Sequence, residues 1–203
     1  MVTRVHLLRH GETDWNAGGR IQGQSESQLT DLGREQARGL RAELKDLGIT
    51  RVFSSSSLRA RQTAAIAFEG IADDIVHLDA LREIALGRWE GHLYSTIEAI
   101  YPAELRAFRE APEQFSFNGA ETFTVLQARG LGALAELALE CPGQAIAVVS
   151  HGALIRSVLC HYGRRPLSRL WEPPRMHNCA HSIVEIAGDA EPRIIQYAGQ
   201  GAW

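Results

Sequence analysis

Residues 7–16 read Leu7-Leu8-Arg9-His10-Gly11-Glu12-Thr13-Asp14-Trp15-Asn16 and complete an apolar run that begins at Val5. The apolar run is typical of a buried β-strand, and the charged residues after it mark the end of that strand. In an α/β protein the carboxyl end of a strand opens onto the crevice where ligands bind. Arg9 offers a fixed set of donors for phosphate oxygens, and His10 offers a nitrogen that is nucleophilic when neutral. Gly11 allows a sharp turn or a close approach to a ligand, and Asn16 adds an amide donor.

The remainder of the chain predicts strands and helices in alternation. Strands are predicted at 51–54, 75–78, 145–149, 182–186 and 193–197. Helices are predicted at 31–47, 58–68, 123–140 and 153–161, with short helical pieces on either side of Pro102. This alternation predicts an α/β fold with a mostly parallel central sheet between two helical layers. The helix at 31–47 is predicted to have Thr30 as its N-cap and four leucines on one face, namely Leu32, Leu40, Leu44 and Leu47.

Composition limits the classes of protein that this chain can represent. Its 203 residues suit one domain, with 45% hydrophobic and 22% charged residues. A net charge of −3 argues against a nucleic-acid or anionic-membrane partner, so an anionic ligand would need a local group of cations. The three cysteines are far apart and odd in number, which favours reduced thiols in a cytoplasmic protein. The sequence predicts no metal site and no membrane span.

Three further stretches place polar residues where a strand ends or a helix begins. Arg59 follows the serine run 54–57, Glu83 lies in a loop beside Trp89, and His151 follows the apolar strand at 145–149. Taken alone, each has an ordinary structural interpretation. Arg59 is then a solvated helix charge, Glu83 a solvated loop carboxylate, and His151 a hydrogen-bonded structural histidine. Arg59 also suits an anion site, because free backbone donors and the helix dipole favour negative charge at a helix start.

Together these stretches resemble the histidine phosphatase superfamily, which includes the phosphoglycerate mutases. The resemblance is carried by four motifs in order: Arg9-His10-Gly11-Glu12-Thr13 with Asn16, Arg59-Ala60 with Thr63-Ala64, Glu83 followed by Gly87-Arg88-Trp89-Glu90-Gly91, and Ser150-His151-Gly152. It covers nearly the whole chain, and Leu170-Trp171-Glu172-Pro173-Pro174 is similar to the broad-specificity bacterial phosphatases of this group. One departure is Glu26-Ser27-Gln28, where the family commonly has Asp-x-Pro, and it affects only the local loop geometry.

The resemblance implies a phosphoglycerate mutase-like fold and a two-step phosphoryl transfer. It implies that His10 attacks phosphorus and that Glu83 donates a proton to the leaving oxygen and later accepts one from water. It also implies three positive phosphate donors, Arg9, Arg59 and His151, in place of a metal ion or other cofactor. The further phosphate-binding residues implied are Asn16, Gln22, Gly23 and Gly152. Glu90 is expected to position its loop.

Two other functions stay open at this point. A phosphoglycerate mutase would use the same histidine, but mutases of this superfamily carry adjacent arginines in an inserted region that clamp the substrate carboxylate. Here Arg106 and Arg109 are not adjacent, and Arg164-Arg165 lies after His151. An inactive module that binds phosphoproteins would need a lost nucleophile or acid, and both are present. The sequence therefore favours a phosphatase acting on a small-molecule phosphate monoester, as a monomer or homodimer.

A single domain is expected over residues 1–203, with a lid-like insertion at about 84–121. Apolar residues in loops near this segment have two interpretations, because they could cover an apolar leaving group or pack the core of the lid itself. They are Ile21, Leu86, Trp89, Phe115 and Phe117. His177 and His181 flank Cys179 at a spacing that imitates metal ligands, but no carboxylate partner accompanies them, and we interpret them as structural.

Overall fold

A mixed β-sheet forms the middle layer of the structure, a computed structural model that describes residues 1–188 and 190–201. Its strands are β1 (Val2–Arg9), β2 (Ile49–Ser55), β3 (Ile75–Leu78), β4 (Ala145–Ser150), β5 (His181–Ala187), β6 (Ala190–Tyr197) and β7 (Gln200–Gly201). Among the described residues their order across the sheet is β3-β2-β4-β1-β5-β6-β7. β1, β2, β3 and β4 pair in parallel, whereas β5, β6 and β7 extend the sheet in antiparallel fashion. The predicted mostly parallel α/β fold is confirmed, and β7 is an addition that the sequence did not predict.

Helices cover both faces of this sheet because successive residues of each strand point to opposite sides. The helices are α1 (Asp14–Ala17), α2 (Asp31–Leu44), α3 (Leu58–Ala67), α4 (Tyr94–Ile100), α5 (Pro102–Glu110), α6 (Phe123–Glu140) and α7 (Gly152–Tyr162). Leu7 packs in the core shared with α6 and α7, and its neighbour Leu8 packs in the core shared with α2 and α3. In β4, Val148 likewise packs in the core with α6 and α7, and Val149 packs in the core with α2 and α3. None of the described helices combines the length and apolar character needed to cross a bilayer.

Helix α2 begins as predicted and ends earlier than predicted. The Thr30 hydroxyl accepts a hydrogen bond from the Gly33 N–H at 3.0 Å, which confirms Thr30 as the N-cap. The helix ends at Leu44, and only two of the four predicted leucines, Leu40 and Leu44, are buried. Leu32 and Leu47 are 55% and 38% exposed, because the first lies on the outer side of the first turn and the second lies beyond the helix.

The segment after β1 contains a short helix where the sequence predicts a loop from residue 17 and no helix. Thr13 and Asn16 form reciprocal side-chain bonds to each other's backbone N–H groups, which stabilises the single turn of α1. Gly11 is required here for close packing against the first turn of α2. A Cβ on Gly11 would lie 2.5 Å from the carbonyl oxygen of Gly33, so the loop is held directly against the start of α2.

Aromatic side chains fill the segment between β3 and α6. Trp89 packs against Phe108, Phe115 and Phe117, with ring centroids 6.0, 5.4 and 5.1 Å away. Trp89 and Phe115 are buried and belong to the main core. Of the two interpretations of these aromatic residues, the structure supports packing within the lid-like segment.

Candidate active site

A cavity of about 620 Å³ opens at the carboxyl ends of β1 and β4, where the starts of α3 and α7 also meet. We call one group of its lining residues the floor: Arg9, His10, Asn16, Gln22, Gly23, Arg59, Glu83 and Gly152. A second group, the wall, consists of Arg20, Ile21, Leu86, Tyr94, Phe108, Arg109, Trp171, Arg175 and Met176. The floor contains every sequence-predicted site residue except His151, which lies beneath it.

The imidazole of His10 is held in one orientation and one tautomer. It is 3% exposed, and its Nδ1–H donates a hydrogen bond to the carbonyl oxygen of Gly11 at 2.8 Å. The remaining nitrogen, Nε2, therefore carries the lone pair in the neutral ring. Burial lowers the pKa of His10 well below its usual value, and the positive charges of Arg59 and Arg9 lower it further. The imidazole of His10 is thus neutral at physiological pH, mainly because it is buried.

Arg59 lies at the start of α3, fully buried, and forms three hydrogen bonds. Its guanidinium donates to Ser25 O at 2.9 Å, to Gly23 O at 2.7 Å and to Nδ1 of His151 at 3.2 Å. Burial lowers the pKa of Arg59 to about 10, so the side chain stays cationic near neutral pH. Two of its five N–H donors remain for a ligand.

His151 lies directly beneath the floor, with its ring centroid 5.2 Å from that of His10. Both of its nitrogens are engaged, because Nδ1 accepts from Arg59 and Nε2 contacts the Ser55 hydroxyl at 2.8 Å. Burial lowers the pKa of His151 well below its usual value, and Arg59 lowers it further. His151 is therefore neutral in this structure, and the floor has two arginine cations and, beneath them, a neutral imidazole.

Arg9 ends β1 and faces the cavity. One of its terminal nitrogens donates to the carbonyl oxygen of Met176 at 2.5 Å, whereas its Nε is buried without a partner among the described residues. Gly152 begins α7 against this guanidinium, since a Cβ there would lie 3.4 Å from the Nε. A buried donor without a partner is costly, so Arg9 is suited to an incoming oxygen ligand.

The amide side chains of the floor have their oxygens occupied by the protein. Asn16 Oδ1 accepts from the Thr13 N–H and from the Asn178 amide, both at 3.2 Å, and Gln22 Oε1 accepts from the Ser27 hydroxyl at 2.7 Å. Their NH₂ groups are therefore the part available to a ligand. This arrangement suits an acceptor such as a phosphate oxygen.

The Glu83 carboxylate accepts three backbone hydrogen bonds, two from the N-terminus of α7 and one from the neighbouring residue Ile84. Its Oε1 accepts from the N–H groups of Ile84 at 3.0 Å and Leu154 at 3.1 Å, and its Oε2 accepts from Ala153 at 3.0 Å. The carboxylate thus replaces the side-chain cap that α7 lacks. This places Glu83, from a loop that is remote in sequence, beside the start of the His151-Gly152 helix.

Glu90 joins the two loops that border the floor, as predicted from its motif. Its carboxylate accepts from the N–H groups of Gln24 at 3.0 Å and Leu86 at 2.8 Å and from the Ser25 hydroxyl at 2.6 Å. Gly23 has a φ of 54° and lies against the same carboxylate, so a side chain there would collide with Glu90. Glu90 therefore supports the carbonyl groups that hold Arg59.

Sequence reasoning missed Asn178 and most of the wall. Asn178 donates to the His10 carbonyl at 3.1 Å as well as to Asn16, and no motif marks it. Arg20, Arg109 and Arg175 line the cavity although they lie far apart in sequence. Adjacency in sequence is therefore not required for arginines to meet at this site.

The cavity is strongly cationic. Six arginines and only one carboxylate, Glu83, line it among the described residues, in a chain whose net charge is −3. One of the six, Arg156, donates to the carbonyl oxygens of Leu170, Glu172 and Pro174 and so has a structural role. No group of three described His, Cys, Asp or Glu residues has the arrangement of a metal site, and His181 contacts His6 at 2.9 Å.

Fold and site together define an α/β protein with a buried, neutral histidine in a strongly cationic cavity at the carboxyl ends of the parallel strands. Residues 5–198 match the sequence pattern of the histidine phosphatase superfamily (branch 1), and the chain belongs to this family. It is similar to "Phosphoserine phosphatase 1" of Hydrogenobacter thermophilus, with 31% identity over 91% of this chain and 87% of that protein. It is also 37% identical to "Probable phosphoglycerate mutase GpmB" of Salmonella newport, over 93% of this chain and 94% of that one.

Among solved structures the fold is similar to that of Bacillus stearothermophilus YhfR. The TM-score is 0.94 at 32% identity, and the match covers 98% of each chain. The family and its phosphatase members identify the chain as a phosphatase of the histidine type.

Proposed function

We propose that the chain hydrolyses phosphate monoesters through a phosphohistidine formed on Nε2 of His10, without a metal ion. The observation that carries this proposal is the hydrogen bond from Nδ1 to the Gly11 carbonyl, which leaves the Nε2 lone pair facing the cavity. In the first step Nε2 bonds to phosphorus while the bond from phosphorus to the ester oxygen breaks. In the second step a water oxygen bonds to phosphorus, the P–N bond breaks, and inorganic phosphate leaves.

Glu83 is the proposed acid of the first step and base of the second. Its Oε1 accepts two backbone N–H groups and its Oε2 accepts one, so Oε2 retains a lone pair that can hold the proton. In this proposal Oε2–H gives its proton to the leaving oxygen and regains one from the attacking water. The helix cap thus fixes the direction of the carboxyl group as well as its position.

Two arginines and the amides bind the phosphoryl group in this proposal. Arg9 contributes its unpartnered Nε, Arg59 its two remaining N–H donors, and Asn16 and Gln22 their NH₂ groups. Gly23 and Gly152 contribute close backbone approach. These donors stabilise charge that develops on phosphorus-bound oxygens, which is the main requirement of phosphoryl transfer.

His151 joins the phosphate site by taking up a proton when the ligand binds. Burial is the largest cause that lowers the pKa of His151, followed by the charges of Arg59 and other nearby groups, and a bound phosphate dianion raises this pKa against them. The imidazolium then gives up the bond that Nδ1 accepts from Arg59 and donates from Nδ1 to a phosphate oxygen. Proton uptake on binding of inorganic phosphate, measured by calorimetry in buffers of different ionisation enthalpy, tests this role.

The proposed substrate is a monoester that carries an apolar body and a second anionic group. Ile21, Leu86, Phe108, Trp171 and Met176 give the wall apolar area, and its arginines give it positive charge. Phosphoserine and phosphoglycerate, the esters in the names of these relatives, both carry a carboxylate, which supports the second anionic group. A panel of matched esters with and without a carboxylate tests the substrate class, and a higher kcat/KM for the carboxylates is expected.

A mutase is the second candidate, because relatives with that name match the chain and because the wall carries cations suited to a carboxylate. Hydrolysis is favoured because Glu83 is followed by Ile84-Ala85-Leu86 and not by the Glu-Arg-His-Tyr of mutases. With 2,3-bisphosphoglycerate present, we expect phosphate release from several monoesters to exceed interconversion of 3- and 2-phosphoglycerate. Mutase turnover faster than hydrolysis would contradict the proposal.

Metal independence is tested with a chelator. Arg9 and Arg59 supply the positive charge that a metal ion would otherwise provide at the phosphate. Activity should therefore persist in excess EDTA. Loss of activity with recovery on addition of a divalent ion would contradict this part of the proposal.

The cellular setting is also proposed. The thiols of Cys141, Cys160 and Cys179 are free, which supports a reducing, cytoplasmic location. The net charge supports a small-molecule substrate and argues against nucleic acid or a membrane as partner. We further propose a single domain with a lid-like insertion at about 84–121, in a monomer or homodimer.

A further inference from the structure

The guanidinium of Arg129 donates hydrogen bonds to the segment that carries Glu83 and to the carboxylate of Glu121. Arg129 lies on α6 and donates to the carbonyl oxygens of Ala80 at 2.9 Å, Arg82 at 2.8 Å and Glu83 at 3.3 Å. It also forms a two-point ion pair with Glu121, from Nε at 3.0 Å and from a terminal nitrogen at 2.8 Å. These contacts use all five of its N–H donors.

Glu121, the other partner of this ion pair, links the two ends of the inserted segment at about 84–121. Its carboxylate accepts from the Ala85 N–H at 3.2 Å, and its own N–H donates to the Ala85 carbonyl at 2.8 Å. The two ends of the inserted segment therefore meet at Arg129. The side chains of Arg129 and Glu121 are 23% and 11% exposed, so the pair is well shielded from solvent.

We propose that Arg129 and Glu121 form a positioning pair that fixes the main chain of Glu83 so that its carboxyl group meets the leaving oxygen. The backbone of Glu83 is held by Arg129 and by the Gln24 amide at 3.1 Å, and its carboxylate is held by α7. The acid is thus fixed at both ends, by groups from α6 and α7. This inference rests on the function proposed for Glu83.

The geometry of the pair explains why both partners are needed. A guanidinium presents donors in a plane with fixed directions, and a lysine ammonium cannot satisfy three carbonyl groups and a carboxylate at the same distances. Glu121 neutralises the cation, so the pair adds no net charge beside the Glu83 carboxylate. The ion pair of Arg51 with Glu140, on the last residue of the same helix, is exposed and contacts neither Glu83 nor its segment, so it provides a matched control.

The experiment compares two esters in Arg129→Lys and Glu121→Gln. An alkyl phosphate has a leaving oxygen that needs a proton, whereas p-nitrophenyl phosphate has one that leaves with little protonation. In both variants we expect kcat/KM, which reports the first step, to fall about tenfold or more for the alkyl ester and to change by about twofold or less for p-nitrophenyl phosphate. Arg51→Lys and Glu140→Gln should change neither ester. Melting curves establish that each variant is folded at the assay temperature.

Equal losses on both esters would overturn the proposal and leave the pair a structural role alone, and unchanged rates would also overturn it. Should Arg129→Lys fail to fold, Glu121→Gln gives the same comparison with a smaller change. Glu83→Gln is measured in parallel. If Glu83→Gln shows no preference between the esters, the function proposed for Glu83 is wrong. If it shows the preference and the pair variants do not, only the present inference is wrong.

Discussion

The side chains of the floor are buried or half-buried and are held by hydrogen bonds to the protein, whereas the three outer arginines of the wall, Arg20, Arg109 and Arg175, are exposed. Arg59 makes three such bonds and the Glu83 carboxylate accepts three. Arg20 donates once, to the Gly91 carbonyl, and Arg109 donates once, to Glu98 at 3.3 Å. The floor is therefore preorganised for one chemical group, while the wall can adjust to different leaving groups. We expect damage to the floor to affect all substrates and damage to the wall to affect only some.

The nucleophile gives the largest expected effect. His10→Ala removes the nitrogen that forms the phosphoryl bond, and activity should fall by at least about 10⁴-fold on every ester. Rapid acid-free quenching of the wild type during turnover of a fast ester should trap an acid-labile, base-stable phosphoryl group that the variant lacks. Wild-type activity in His10→Ala would contradict the mechanism.

Arg59 provides the next largest effect and has a neighbour that serves as control. Arg59→Gln removes a buried cation that faces the cavity, and kcat/KM should fall about 10²–10³-fold on all esters, as for other preorganised donors. Arg61→Gln changes an exposed arginine two residues later on α3 and should leave activity within about twofold. A loss of tenfold or less for Arg59→Gln would remove Arg59 from the phosphate site.

Acid should weaken the strands that carry the floor through the buried pair of His6 on β1 and His181 on β5. Burial lowers the pKa of each imidazole to about 4, and the charge of His181 also lowers that of His6. Because both folded-state pKa values lie below the unfolded value, the neutral pair stabilises the fold above about pH 6.5, and this stability is lost as pH falls toward 4. Between about pH 7.5 and pH 5 the loss should be on the order of 2 kcal/mol per imidazole.

Urea unfolding of the wild type and of His6→Gln/His181→Gln at these two pH values measures this loss. The double variant keeps one amide hydrogen bond and has no imidazole to protonate, so its stability should change less with pH. An identical pH dependence in both proteins would show that other groups control acid stability.

Part of the site was predictable from sequence because it lies at strand ends. Arg9 ends β1, and His10 and His151 directly follow β1 and β4, so periodicity and local motifs locate them. The loop residues of the floor, such as Glu83, were indicated only by the resemblance to a known family. Asn178 and Arg129 act through contacts that only tertiary packing creates, and no local pattern marks them. The same holds for the neutral state of His151, which depends on complete burial.

A substitution in the wall gives the smallest expected effect in the comparison of floor and wall. Arg109 lies on α5, is exposed, contacts the ring of Tyr94 at 5.6 Å and lines the cavity. Arg109→Met keeps the apolar stem and removes the charge, so KM for a carboxylate-bearing ester should rise only about fivefold, because solvent screens exposed cations. The kcat/KM for p-nitrophenyl phosphate, which has no carboxylate, should change by less than about twofold.

Arg106 provides the matched control, because it is exposed on the same helix and lies outside the lining of the cavity. Arg106→Met should therefore behave as the wild type on both esters. Equal losses on both esters in Arg109→Met would mean that Arg109 acts on the phosphoryl group and belongs functionally to the floor. An unchanged KM for the carboxylate would mean that this cation has no part in recognition, and the selectivity assigned to the wall would then fall to Arg20 and Arg175. Because salt screens exposed charges more than buried ones, the Arg109 effect should also shrink at high ionic strength, whereas the loss in Arg59→Gln should persist.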